Sequence, residues 1–198
     1  MSKIKVCHLY YDLMNLYGEN ANIRAIEKMC EYQGITCEVS LKTINDKIDF
    51  NSYDIYYMGS GDEKSELLVL EDMIKYKDKI KASIESGKTF IITGNASELF
   101  GSYIIDNDVK YDALGVFNYN SVHETFRIVG SVTFSTKLIK EKIIGFQNRC
   151  GVMNDIDKPL FKVINGTGSS INSKTEGIHY KNFYATYVFG PLLIRNPY

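Results

Sequence analysis

Thr89-Phe90-Ile91-Ile92-Thr93-Gly94-Asn95-Ala96-Ser97-Glu98-Leu99-Phe100-Gly101 reads as a strand, a tight turn and a brief helical piece. Thr89 to Thr93 is apolar without alternation, the pattern of a central parallel strand covered by helices on both faces. Gly94 to Ser97 makes the turn, and Glu98 to Gly101 the helical piece. An open parallel sheet places its site outside the carboxyl end of such a strand. A nucleophile elbow uses the same corner: a strained turn residue exposes its side chain beside a backbone N–H that can stabilise an oxyanion. Gly94 holds that corner, and glycine has no side chain with which to attack.

Outward from this element the first half has a βαβ rhythm. Ile4 to Tyr10 has strand length, and a polar turn, Asp12 to Asn20, leads into a helical pattern with Ile23, Ile26, Met29 and Cys30 on one face. Gly34 ends that helix. Ile35 to Leu41 alternates as a second strand, and Tyr53 to Met58 reads as a third that runs into Gly59-Ser60-Gly61-Asp62. Helices follow over Lys64 to Lys75 and Lys77 to Ser86, the second closed by Gly87. After Asp112 the texture turns to strands: Leu114 to Tyr119, Thr125 to Phe134, Ile143 to Gln147, Leu160 to Asn165, Gly177 to His179 and Phe183 to Val188. The expected class is α/β, an open, mostly parallel sheet flanked by helices with a β-rich second half. No Pro/Gly/Ser-rich linker divides the 198 residues, so residues 1–198 are expected to form one domain.

The bulk properties exclude several functions. With 23 basic and 24 acidic residues the formal charge is −1, which leaves no positive field for a nucleic-acid backbone. The apolar runs fall far short of the ~20 residues that span a bilayer, and Met1 to Lys5 lacks a signal-peptide pattern, so a cytoplasmic protein is expected. Cys7, Cys30, Cys37 and Cys150 show no Cys-x-x-Cys spacing and only three histidines accompany them, so neither a structural zinc nor any other metal site is expected. Cys7 and His8 are neighbours on a strand and point to opposite faces. His123 and His179 lack ligand spacing and read as structural. Gly59-x-Gly61 is too little for a phosphate loop, which needs further glycines, a lysine and Ser/Thr at fixed places; no cofactor is expected.

Four segments carry a family resemblance. Tyr11-Asp12-Leu13-Met14-Asn15-Leu16-Tyr17-Gly18 with Asn22-Ile23, Gly59-Ser60-Gly61-Asp62-Glu63, Gly145-Phe146-Gln147-Asn148, and Glu176-Gly177 with Thr186-Tyr187-Val188-Phe189-Gly190-Pro191-Leu192-Leu193 resemble class I glutamine amidotransferase domains of the cobyric-acid-synthase type. Among these, the resemblance is strongest to the glutaminase subunits of lipid II isoglutaminyl synthases. It implies a flavodoxin-like fold and a partner of the Mur-ligase-like kind, and it covers nearly the whole chain, although relatives usually continue further.

The departures from the family pattern bear on chemistry. The resemblance implies a cysteine at the elbow that attacks the glutamine amide and a histidine in the late segment that activates it; here those positions are Gly94 and Phe189. The usual Gln-Asp of the glycine-rich loop reads Asp62-Glu63, and the histidine that usually follows Gly-Phe-Glu-Asn is Arg149. Gly94 is expected to empty the nucleophile's space and Phe189 to plug the pocket. Arg127, before Ile128-Val129-Gly130, resembles the arginine that grips the glutamine carboxylate; with Gly61 and Asn95 it makes the expected ligand-binding set. A solvated strand arginine is the alternative. Ser97 reads as a turn hydroxyl. The sequence therefore points to a catalytically inactive partner or glutamine-sensing subunit of a synthetase. The competing expectation is an active glutaminase subunit with a substitute nucleophile such as Cys150 or a group from a partner chain.

Overall fold

The computed structural model describes residues 2–197. Its first sheet runs in the order β11-β12-β4-β3-β1-β2, from β1 (Lys3–Leu9), β2 (Thr36–Lys42), β3 (Ile55–Met58), β4 (Thr89–Thr93), β11 (Ile178–Tyr180) and β12 (Phe183–Thr186). Every pairing is parallel except that of the edge strand β11 with β12. Side chains alternate between faces along these strands. Val6, Tyr57 and Ile91 pack on α1 (Asn20–Tyr32) through Ile23, Ile26 and Cys30. Cys7, Tyr56, Met58, Phe90 and Ile92 pack on the other side against α2 (Glu63–Met73) and α3 (Lys77–Glu85) through Val69, Leu70, Met73, Ile80 and Ile84.

The expected class is what the chain adopts, and the β-rich half is a second sheet. It is ordered β10-β9-β7-β5-β6, with β8 paired to β7, from β5 (Tyr103–Asp106), β6 (Val109–Asp112), β7 (Asn120–Ser135), β8 (Ile143–Asn154), β9 (Phe161–Asn165) and β10 (Thr175–Glu176). Its own apolar cluster joins Val132, Phe134, Ile143 and Phe161 to Val188 and Leu192, the latter opening the short helix α4 (Leu192–Arg195). Among the described residues no helix is long and apolar enough to cross a membrane.

The sequence expectation has no counterpart of β5 or β6, and two further segments differ from it. Leu114 to Tyr119 is a loop, not a strand, because its N–H groups are taken by the preceding turn: Leu114 donates to the Leu99 carbonyl, and Val116 and Phe117 to that of Phe100. The helical piece expected at Glu98 begins earlier, as a 3-10 segment over Gly94–Phe100. Ser97 is the turn hydroxyl anticipated, donating to the Gly94 carbonyl at 2.6 Å.

Candidate functional site

A cavity of about 30 Å³ opens at the carboxyl ends of β3 and β4, where an open parallel sheet presents its site. Its wall is built from the loop after β1 (Tyr17), the loop after β3 (Ser60 to Glu63), the 3-10 turn (Gly94, Asn95, Glu98), the β7–β8 hairpin and the segment after β12 (Tyr187, Phe189). Gly94, Phe189, Arg127, Gly61 and Asn95 thus all line one cavity, although they come from distant parts of the chain.

Gly94 sits at φ +65°, the left-handed conformation that glycine takes without strain. The space in front of it is not empty, as the sequence suggested, but filled. A Cβ added at Gly94 would come well under 3.0 Å from both Cβ and Oγ of Ser60, and 3.1 Å from its α-carbon. The Ser60 hydroxyl is held there by Asn95 Oδ1 at 3.0 Å, which also accepts from the Gly61 N–H at 2.9 Å. Asn95 Nδ2 donates to Glu66 Oε2 at 2.8 Å. The glycine-rich loop is therefore tied to the turn by one amide side chain, with the Gly61 donor already engaged.

Phe189 lies opposite. Its ring stacks on Tyr17 at 4.4 Å and 11° and meets Phe146 edge-on at 6.0 Å, while its N–H donates to the Phe146 carbonyl at 3.1 Å. The ring is buried, so the position is an aromatic wedge between the β1 loop and β8.

Arg127 reaches across the cavity mouth. It donates to Glu63 Oε1 at 2.9 Å, Asn148 Oδ1 at 2.9 Å and the Asn148 carbonyl at 3.3 Å, so two of its five N–H groups remain for other partners. Asn148 in turn donates to the Tyr17 hydroxyl at 3.0 Å. Cys150 also lines the cavity, and its thiol donates to Glu63 Oε1 at 3.2 Å. Burial and the Glu63 carboxylate push that thiol up to about 12, so the neutral form dominates near neutral pH. Cys7 is likewise pushed up to about 12 by burial, and His8, on the opposite face, down to about 4.

The polar groups that sequence reasoning missed lie at the floor. Glu66 and Glu98 are fully buried, and the His123 side chain is 4% exposed between them. His123 Nε2 lies 3.1 Å from Glu98 Oε2 and 3.7 Å from Glu66 Oε2, and Nδ1 shares a hydrogen bond with Asp106 Oδ1 at 2.9 Å. Burial alone would lower His123, but Glu98, Glu66 and Asp106 reverse this and push it up to about 10. Burial and then the charge of Glu98 hold Glu66 well above the usual carboxylate range. Arg149, also buried, stacks on Tyr187 at 3.8 Å and donates to the carbonyls of Gly151 and Gly168. His179 lies elsewhere, stacked on Tyr184.

Behind the site, Glu19 joins the elements that carry it. This buried carboxylate accepts from Tyr57 OH at 2.6 Å, from the Thr93 hydroxyl, from Asn22 Nδ2 at 3.4 Å and from the Gly190 N–H at 3.1 Å. It lies under both the Gly94 corner and the Phe189 segment. Burial raises its carboxyl above the ordinary range despite these donors.

Residues 5–197 match the family described as the CobB/CobQ-like glutamine amidotransferase domain. The chain is 30% identical over 198 residues to the Lipid II isoglutaminyl synthase (glutamine-hydrolyzing) subunit GatD of Streptococcus pneumoniae (strain ATCC BAA-255 / R6), spanning 98% of this chain and 76% of that protein. To the subunit of the same name from Staphylococcus aureus (strain N315) it is 29% identical over 197 residues, 99% of this chain and 81% of that protein. With the six-stranded, mostly parallel sheet and a cavity at its carboxyl edge, these matches make the chain a member of the CobB/CobQ-like glutamine amidotransferase family.

Proposed function

We propose that this chain, as one domain over residues 1–198, is a non-hydrolysing member of its family: a catalytically inactive subunit that docks on a synthetase of the Mur-ligase-like kind. One observation carries the reading. The Ser60 side chain occupies the space that a side chain on Gly94 would need, so the elbow corner has neither a nucleophile nor room for one. Phe189 supplies packing where a base would have to accept a proton. The two relatives described above are named as subunits of a glutamine-hydrolysing synthase, which supports a partner-bound role. The four cysteines are free thiols, in keeping with a reducing, cytoplasmic setting.

The cavity favours docking over glutamine sensing. Small-molecule pockets commonly enclose ~300 Å³ or more, whereas the space at the Gly94 corner, about 30 Å³, admits one or two waters. The wider cleft of about 850 Å³ that Glu63, Arg127 and Cys150 also line does not reach Gly94, Asn95 or Phe189. Arg127 is already paired with Glu63. A calorimetric titration of glutamine into the wild type and an Arg127→Ala variant is expected to give no saturable heat with either. Saturable heat lost in the variant would make the chain a sensor instead. The competing reading, Cys150 as substitute nucleophile, meets a thiol bonded to a carboxylate rather than to an imidazole.

A further inference from the structure

Glu66 on α2, Glu98 on the 3-10 turn and His123 on β7 are distant in sequence, and no ligand spacing announces them. The fold nevertheless gathers one donor atom from each within 4.8 Å of the others. Ligands held ~2.0–2.1 Å from a tetrahedral ion stand roughly 3.3 Å apart. The 3.1 and 3.7 Å separations from His123 Nε2 bracket that spacing. Asp106 holds Nδ1, the arrangement by which an outer carboxylate fixes the tautomer of a metal-bound imidazole and aims Nε2 at the ion.

A second observation points to something held between these groups. Glu66 Oε1, Glu98 Oε1 and, on the same cavity wall, the Tyr187 hydroxyl are buried without a hydrogen-bond partner among the described residues. Unpaired buried polar groups are costly, and ionised ones more so. Arg149 does not bond them, since it donates to the Gly151 and Gly168 carbonyls and faces the Tyr187 ring. His123 reaches only the Oε2 atom of each carboxylate, so an ion would take the place of its proton there. Gly151 also leaves Glu98 its place, since a Cβ there would fall within 2.7 Å of the Glu98 carboxyl carbon. The cavity above has room for a water on an open coordination position.

We propose that Glu66, Glu98 and His123 form a binding site for one divalent transition-metal ion, with Asp106 as the outer carboxylate. One imidazole nitrogen with two carboxylate oxygens suits zinc, manganese or ferrous iron better than magnesium or calcium, which favour all-oxygen sets. The site stands apart from the question of glutamine hydrolysis, since it uses neither Gly94 nor Phe189.

The test is equilibrium dialysis of EDTA-stripped full-length protein against Zn²⁺ alone and Mn²⁺ alone, followed by elemental analysis. Glu98→Gln, His123→Gln and Asp106→Asn variants are run in parallel, with circular dichroism to verify folding. The wild type is expected to retain one equivalent of at least one ion. Affinity should fall more than 100-fold in folded Glu98→Gln or His123→Gln, and about 10-fold in Asp106→Asn, which leaves the three ligands in place. Absence of stoichiometric uptake by the wild type would overturn the proposal, as would uptake that every folded variant retains unchanged; the first result would leave a proton-held carboxylate and imidazole cluster.

Discussion

A Gly94→Cys, Phe189→His double variant is expected to release no ammonia from glutamine above background, whereas adding Ser60→Gly should yield a thiol that a glutamine-mimicking electrophile labels. The double variant restores the residue types of a Cys-His pair but not the space for them. The new Cβ would overlap Ser60, whose hydroxyl is fixed by Asn95. Overpacking of this kind costs about 1–3 kcal/mol, and holding a non-glycine residue at φ +65° adds about 1–3 kcal/mol. The corner therefore opens or the thiol turns away. Ser60→Gly removes the two overlapping atoms, so that the nearest remaining atom of residue 60 is its α-carbon, 3.1 Å away. Peptide mapping after labelling reads the outcome directly. Equal labelling of the double and triple variants would show that Ser60 is not the obstruction.

Glu19→Ala should be the most destabilising single substitution near the site. It strips the carboxylate from the Thr93 hydroxyl, the partly buried Gly190 N–H and the Tyr57 hydroxyl, which keeps only longer contacts to the Glu19 carbonyl at 3.2 Å and the Thr93 hydroxyl at 3.1 Å. Each buried donor left unpaired costs about 1–3 kcal/mol. The buried carboxyl itself is disfavoured by desolvation, and losing it returns part of that sum. The expected net loss is about 3 kcal/mol, or a Tm lower by about 6–12 °C. Glu19→Gln keeps one acceptor oxygen and should lose only about 1 kcal/mol. Denaturant unfolding of both variants checks this, and a Glu19→Ala protein within about 0.5 kcal/mol of wild type would remove Glu19 as the group tying these elements together.

The fold was legible because its evidence is local. Thr89 to Thr93 announces a buried central strand, and Gly94 after it a turn, whatever the rest of the chain does. The meeting of Gly94 and Phe189 at one cavity was legible only through the resemblance, since nothing local links two positions so far apart in the chain. The contents of the corner were not legible. A serine between two glycines gives no hint of where its Cβ points, and that direction decides whether the corner is empty or filled. Leu114 to Tyr119 misled because its apolar run packs under a loop, with its N–H groups turned to the Leu99 and Phe100 carbonyls instead of to a neighbouring strand. His123 read as structural for want of ligand spacing, while its partners Glu66 and Glu98 come from a helix and a turn that only the tertiary fold brings beside β7.

Ammonia release from glutamine by the purified wild type, measured beside a Cys150→Ser variant, tests most directly whether this cavity lacks a usable nucleophile. Both proteins are expected to give only the background rate, with no difference between them. Release above background that Cys150→Ser abolishes would contradict that lack, by showing that a thiol hydrogen-bonded to Glu63 performs the attack after all.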